Sequence, residues 1–379
     1  MSWIEAIANN ALFVLFIVTF VGVSVGKIKI KSFSLGVSGA LFIGIAFGHF
    51  GFTVPHEFFD ITILLFVTAV GLIASKDIGE IVKKYGIKFI IMGILIPSTA
   101  ALLTYLLMIT GEGISSPLIE GIFTGSLTSS PGLAASLESS EYSQLVTIGH
   151  SIAYPIGVIT VILFVQLTQT FSKMDLEKEK KLFRNRIKRK DEAQESGKEV
   201  AFSLVAFCFA VVVGILIGAI PIPLGTLGSV KLGNSGGGLI GGLLVGYLGK
   251  IGPMHTRMSS RVLSPIREMM LALFLAVVGI EAGSGFVSTV MAHGLILIAI
   301  AIITALIPMV VGYILGRKVW HLDWILLSGA LCGGMTSTPG LGVAIDATGT
   351  EDAGASYGAT YPFAIIGMVI FAKLLGLSV

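Results

Sequence analysis

Charge is scarce in this sequence. Only 12% of its 379 residues are Asp, Glu, Lys or Arg, about half the ~25% of a soluble domain. That shortage excludes an ordinary water-soluble chain. The hydrophobic share of 54% and the mean hydropathy of +0.93 point to a polytopic membrane protein. Cysteine is nearly absent. Cys208 and Cys332 both lie in apolar surroundings, which excludes a disulfide framework and cysteine metal sites. None of the six histidines (His49, His56, His150, His255, His293, His321) has metal-ligand spacing, so neither metal nor cofactor is expected. No nucleophile–base pair, phosphate loop or nucleic-acid patch occurs. The reading is a non-enzyme with no catalytic residue and no nucleic-acid partner. Paired carboxylates inside apolar runs are missing too, which weighs against a cation/proton antiporter. The first residues lack a basic region and a small-residue cleavage site, so 3–26 reads as a first membrane helix and not a removed signal peptide.

What the chain does have is apolar runs near the ~20 residues that span a bilayer. They fall at 3–26, 36–52, 60–75, 88–110, 117–136 and 148–170, then at 200–218, 236–250, 266–282, 287–315, 324–345 and 356–378. Between the two sets lies a solvated linker, 171–199, open to an extended helix, with ten Lys/Arg and seven Asp/Glu. Glycine is abundant, 48 residues, as tight packing of membrane helices requires.

The two sets align. Gly22 and Gly26 match Gly214 and Gly218; Gly44, Gly48 and Gly51 match Gly242, Gly246 and Gly249. Phe66, Val70 and Gly71 match Phe274, Val278 and Gly279, and Tyr154-Pro155 matches Tyr361-Pro362. A colinear series implies a tandem duplication, with repeats 1–170 and 200–379 around the linker 171–199. Parity sets their orientation. Short loops rich in Lys/Arg stay in the cytoplasm, and five basic groups hold 23 of the 25 cations. All five are cytoplasmic only if 117–136 and 324–345 are re-entrant hairpins that do not cross. Each half then has five crossings, the second half is upside down, and both termini lie outside.

Each hairpin carries one motif: Thr128-Ser-Ser-Pro-Gly-Leu133 and Thr336-Ser-Thr-Pro-Gly-Leu341. Proline lacks an N–H and glycine accepts positive φ, so a helix breaks there. Broken backbone at membrane depth needs protein or water around it, and paired breaks point to a transporter's binding site. A helix restarting after each Pro-Gly has unpartnered N–H groups and a positive dipole end that suits an anion. The candidate substrate site is therefore Thr128, Ser129, Ser130, Pro131 and Gly132 with Thr336, Ser337, Thr338, Pro339 and Gly340. The blander reading is that the hydroxyls only cap the restarted helices. Tyr154 and Tyr361 either face these tips or serve kinks at the prolines that follow them. Asp60 and Glu268 suit helix starts, while Glu138 and Asp346 are helix-end surface residues or gate residues. Glu281 ends its helix near an interface, and His150 is the one histidine worth testing.

These residues resemble the aspartate–alanine exchanger family of bacterial antiporters. The resemblance rests on Gly26-Lys-Ile-Lys-Ile-Lys with Ser34-Leu-Gly, on Gly44-x-x-x-Gly-His-Phe-Gly51, and on Arg267-Glu-x-x-Leu-Ala-Leu-Phe-Leu-Ala-x-Val-Gly279. Both Thr-Ser-x-Pro-Gly-Leu motifs and Tyr361-Pro-Phe-Ala-Ile-Ile-Gly-Met368 complete it. It implies exchange of small carboxylates or amino acids such as aspartate, alanine and succinate. Typical members carry a regulatory module of the potassium-uptake C-terminal type between the halves; here 171–199 takes its place. The expected architecture is an all-α elevator-type transporter of ten transmembrane helices and two hairpins. It would sit as a homodimer in the bacterial cytoplasmic membrane and bind a small anionic metabolite. A cation/proton antiporter and a non-transporting scaffold are the alternatives.

Overall fold

A computed structural model describes residues 10–28, 36–76, 78–110, 114–172, 174–187, 202–223, 225, 229–283 and 295–377. The first set of apolar runs becomes α1 (Ala11–Gly26), α2 (Gly39–His49), α3 (Glu57–Ala74) and α4 (Ile78–Thr110). The hairpin arms α5 (Ser116–Ser126) and α6 (Ser130–Ser139) follow, then α7 (Ser143–Phe171) and a linker helix α8 (Leu176–Ile187). The second set gives α9 (Leu204–Ala219), α10 (Gly233–Leu248), α11 (Ser260–Gly283) and α12 (Leu295–Tyr313). Its hairpin arms are α13 (Trp324–Gly334) and α14 (Thr338–Thr348), and α15 (Ala353–Gly376) ends it. Polar caps mark matching starts. Asn10 accepts from the Leu12 and Phe13 amides before α1, and Ser203 accepts from the Ala206 amide before α9.

Among the described residues six helices are long and apolar enough to cross a membrane: α3, α4, α7, α11, α12 extended to Val319, and α15. The chain is a multi-pass membrane protein. Of the ten expected crossings, α1, α9 and α10 have 16 residues and α2 has 11, short of the ~20 a straight crossing needs. Residues 3–9, part of the first expected run, lie outside the described residues. Two other expectations shift. The basic stretch from Lys83 to Lys88 is not a loop but the start of α4, where Lys84 and Lys88 lie 5.6 Å from the Tyr85 ring centroid. Two-residue antiparallel ribbons, β1 (Ile222–Pro223) with β2 (Ser229–Val230) and β3 (Lys250–Ile251) with β4 (Met254–His255), interrupt the all-helical pattern.

The helices pack as two groups. α1, α2, α3, α9, α10 and α11 pack mainly on one another. So do α4 to α7 with α12 to α15. Glycine permits the closest crossings of the first group: a Cβ on Gly44 would stand 2.9 Å from Gly279 Cα, and one on Gly242 would stand 3.1 Å from Gly71 Cα. At the centre Phe66 stacks on Phe274, the residue it aligns with, at 6.4 Å between rings.

The linker departs from the solvated reading. α8 buries Phe183 and Glu179. Glu179 takes both Arg317 amino groups, at 3.1 and 2.6 Å, and the Trp324 amide at 2.7 Å. One carboxylate thus ties α8 to the first turn of α13. The cause is local: an unpartnered helix-start N–H and a guanidinium both attract an anion. Residues 188–199 lie outside the described residues.

Candidate substrate site at two hairpin tips

α5 ends with the same hydrogen-bond pattern as α13. The Thr128 amide donates to Gly125 O and the Ser129 amide to Thr124 O; the Thr336 amide donates to Gly333 O and the Ser337 amide to Cys332 O. This closing turn needs one residue in the left-handed conformation, where glycine is usual. Here threonine occupies it twice, Thr128 at φ 54° and Thr336 at φ 50°. A β-branched residue pays about 1–2 kcal/mol there. Such strain persists only where the surroundings impose it, and it clusters at ligand sites.

The surroundings are visible. Thr336 Oγ1 donates to Leu127 O of the other tip at 2.6 Å. Thr128 Oγ1 donates back to Met335 O at 3.4 Å. The two breaks therefore meet tip to tip and exchange hydrogen bonds. Each restarted helix is capped by its own serine: Ser129 Oγ accepts from the Gly132 amide at 3.1 Å, and Ser337 Oγ from the Gly340 amide at 3.2 Å. Pro131 and Pro339 stand in the first turn of α6 and α14. Thr338 Oγ1 lies 3.1 Å from the Tyr357 hydroxyl.

Five of the six expected hydroxyls are thus engaged within the protein. Ser130 is the exception: it is exposed, and its side chain has no partner among the described residues. The Ser130 and Thr338 amides likewise have none. The second tip is fully buried, while the first is open at Ser130 and partly at Pro131. The open polar surface belongs to one tip only.

The tyrosines separate. Tyr361 points away from the tips, its hydroxyl 2.8 Å from Ser235 Oγ on α10. Its ring stacks on Tyr357 at 5.1 Å, and Tyr357 reaches Thr338. The tip residue that the sequence reading missed is therefore Tyr357, one helical turn before Tyr361 on the same face of α15. In the first half the matching pair is His150 and Tyr154, with rings 5.6 Å apart. His150 turns to Thr124, its Nδ1 2.9 Å from Oγ1, instead of to Ser130. That difference leaves the Ser130 hydroxyl unengaged.

The acidic candidates find other roles. Asp60 lies in the first turn of α3 and accepts from Asn234 of α10 at 2.9 Å. Glu268 is not at a helix start, because α11 begins earlier, at Ser260. Glu281 pairs with His56 at 2.9 Å on an exposed face. Asp346 and Glu351 flank the buried Arg267 of α11 at 3.6 and 3.2 Å, a link between the two helix groups. The Glu138 side chain lies outside the described residues. No cluster of three His, Cys, Asp or Glu side chains able to hold a metal occurs among the described residues. An apolar cleft of about 670 Å³ lies elsewhere, between α7 and α12, lined by Leu163, Phe164, Ile302, Leu306 and other side chains. Its lining suits hydrocarbon, not a polar metabolite.

A family model described as a predicted permease membrane region, that of the aspartate–alanine exchangers, matches residues 14–170 and 206–377. The chain belongs to the aspartate–alanine exchanger family. The exchanger match omits 171–205, which holds α8. An uncharacterized transporter of Bacteroides fragilis (strain YCH46) is 25% identical over 523 residues, covering 97% of this chain and 98% of the relative. One from Desulfotalea psychrophila (strain LSv54 / DSM 12343) is 25% identical over 541 residues, covering 97% of each chain. Both alignments are longer than the 379 residues of this chain, so these relatives carry sequence that it lacks. The chain is a membrane transporter.

Proposed function

We propose that this protein is a secondary exchanger of small carboxylates or amino acids, of aspartate, alanine or dicarboxylate type, in the bacterial cytoplasmic membrane. The observation that carries the reading is the pair of opposed tips with a strained threonine at each break. A scaffold has no need of two matched polar breaks inside an apolar bundle. The substrate carboxylate binds at the open side of the pair, against the hydroxyl and the amide of Ser130. The rest of both motifs, Thr128 to Gly132 and Thr336 to Gly340, shapes that seat, with Tyr154 and Tyr361 behind it. Only Lys231 and Lys373 stand outside the five basic groups, so helix starts supply the positive potential for an anion.

The two halves act as inverted repeats, 1–170 and 200–379, joined by the cytoplasmic 171–199 with both termini outside. Contacts in matching places support this. A Cβ on Gly22 would meet Ala40 Cα at 2.3 Å, and one on Gly214, its counterpart, would meet Gly238 Cα, the counterpart of Ala40, at 2.7 Å. Cysteines placed at 3 and 379 should label from outside, and one at 195 only from the cytoplasm; a linker reached from outside would end the inverted arrangement. The α4–α7/α12–α15 group travels as an elevator against the α1–α3/α9–α11 frame, and the frame forms a homodimer. A monomeric mass in nanodiscs would exclude the dimer.

The decisive test is counterflow. Proteoliposomes loaded with unlabelled aspartate, alanine or succinate should take up the labelled compound, and the active substrate should raise the protein's unfolding temperature by mass action. Neither uptake nor stabilisation across a panel of carboxylates and amino acids would refute the reading.

A further inference from the structure

Glu120 lies in the first arm of the first hairpin, α5, eight residues before Thr128. It has no solvent exposure. Neither carboxylate oxygen has a hydrogen-bond partner among the described residues, and no ion pair is formed there. A buried, unpaired carboxylate is among the costliest groups a fold can carry. Proteins do not leave such a charge in place; the group takes up a proton instead.

Its neighbours agree. The Ser136 hydroxyl of α6, also fully buried, is the polar group beside Glu120, and its oxygen is engaged by no other group among the described residues. On α15, a Cβ at Gly376 would lie 3.2 Å from Glu120 Oε1 and 2.6 Å from Ser139 Oγ. The carboxyl therefore faces the last turn of α15, the negative end of that helix, which repels an anion and favours a donor or a cation. Of the other helices packed on α5, α7 brings His150, whose Nδ1 is taken up with Thr124. Among the described residues no ion pair joins Glu120 to α4 or α12. On α15, Lys373 stands in that same last turn and has an interaction of its own.

We propose that Glu120 is a proton-binding site that couples substrate movement to proton movement. In the conformation described here the carboxylate holds one proton, taken from water on one side of the membrane. When the hairpin moves and the group meets water or a cation on the other side, the O–H bond breaks and the proton leaves there. A sodium ion would need a full shell of oxygens, whereas Glu120 and Ser136 together bring three unengaged ones. The coupling rests on the transport reading above; the buried proton does not.

Infrared spectroscopy of the purified protein in nanodiscs at pH 7 separates the two. The wild type should show the carbonyl band of a protonated carboxyl, and Glu120→Gln, which has the shape of the protonated acid, should lose it. An unchanged band would overturn the proposal. If the glutamine variant does not fold, Glu120→Asp should shift the band, and Ser136→Ala should move the pH at which it titrates. In proteoliposomes with a lumenal pH dye, an aspartate, alanine or succinate gradient should drive a dye response in wild type that falls at least tenfold in Glu120→Gln. Substrate flux with no dye response would overturn the coupling while leaving the exchanger standing. So would flux driven by a sodium gradient and insensitive to pH. An intact band with no flux of any substrate would overturn the transport reading and its coupling, and would confirm the buried proton alone.

Discussion

Replacing Thr336 by valine removes one oxygen and preserves the shape. The β-branch stays, so the left-handed strain at φ 50° stays. The hydrogen bond to Leu127 O at 2.6 Å is lost, and that carbonyl remains buried with no donor. An orphaned buried acceptor costs about 1–3 kcal/mol, so Thr336→Val should destabilise by that amount. The reciprocal bond from Thr128 is 3.4 Å long, at the limit of useful geometry; Thr128→Val should cost under about 1 kcal/mol. Thr336→Ser keeps the hydroxyl and should stay near wild type. Thr336→Gly relieves about 1–2 kcal/mol of strain and loses a bond of similar worth, so it should sit close to zero. The assay is thermal unfolding in mild detergent, followed by fluorescence of the buried Trp324. A large membrane protein does not unfold in two states, so the readout is the order of apparent midpoints. Thr336→Val should be lowest, with Thr128→Val, Thr336→Gly and Thr336→Ser above it. If Thr336→Ser falls as far as Thr336→Val, the cross-tip hydrogen bond is not what holds the tips. If Thr128→Val falls as far, the geometry at the two breaks is not as described.

Three further outcomes are expected. Ser129→Ala and Ser337→Ala remove helix caps and should each cost about 0.5–2 kcal/mol. Ser130→Ala should leave stability unchanged and weaken substrate binding roughly tenfold or more, read as the half-saturating concentration in counterflow; equal stability loss in all three would mean Ser130 is structural. Glu179→Gln weakens the link to Arg317 and the Trp324 amide, and should lower stability by about 1.5–3 kcal/mol and speed proteolysis of the linker; unchanged proteolysis would place α8 off the bundle. The hydrogen bond to Glu281 raises the His56 pKa above its ordinary 6.5. The folded state then holds the proton more tightly than the unfolded chain, so the contact's contribution is complete below about pH 6.5 and fades as pH rises through the raised value. Midpoints measured against pH should show that slope, and Glu281→Gln should flatten it; a slope of opposite sign would refute the pairing.

Composition and periodicity were enough for the membrane class, the run-by-run positions of the helices and the two breaks. The reason is local: twenty apolar residues, a Pro-Gly step and a serine cap act within a turn or two of themselves. The same residues carried the family resemblance. What each tip hydroxyl does was not readable. Whether Thr336 faces substrate or Leu127 O is decided by a partner 209 positions away in the chain. Tyr357 went unnoticed because nothing in its own segment shows that Thr338 stands opposite. Nothing in its own segment marks Glu120, since its isolation exists only once α6 and α15 close around it. The linker read as solvated because its charges are numerous, yet one of them, Glu179, meets a guanidinium and a helix start from the far half. Sequence sets what a segment does by itself; the free energy of a buried polar group depends on what lies across from it, and only the tertiary fold supplies that.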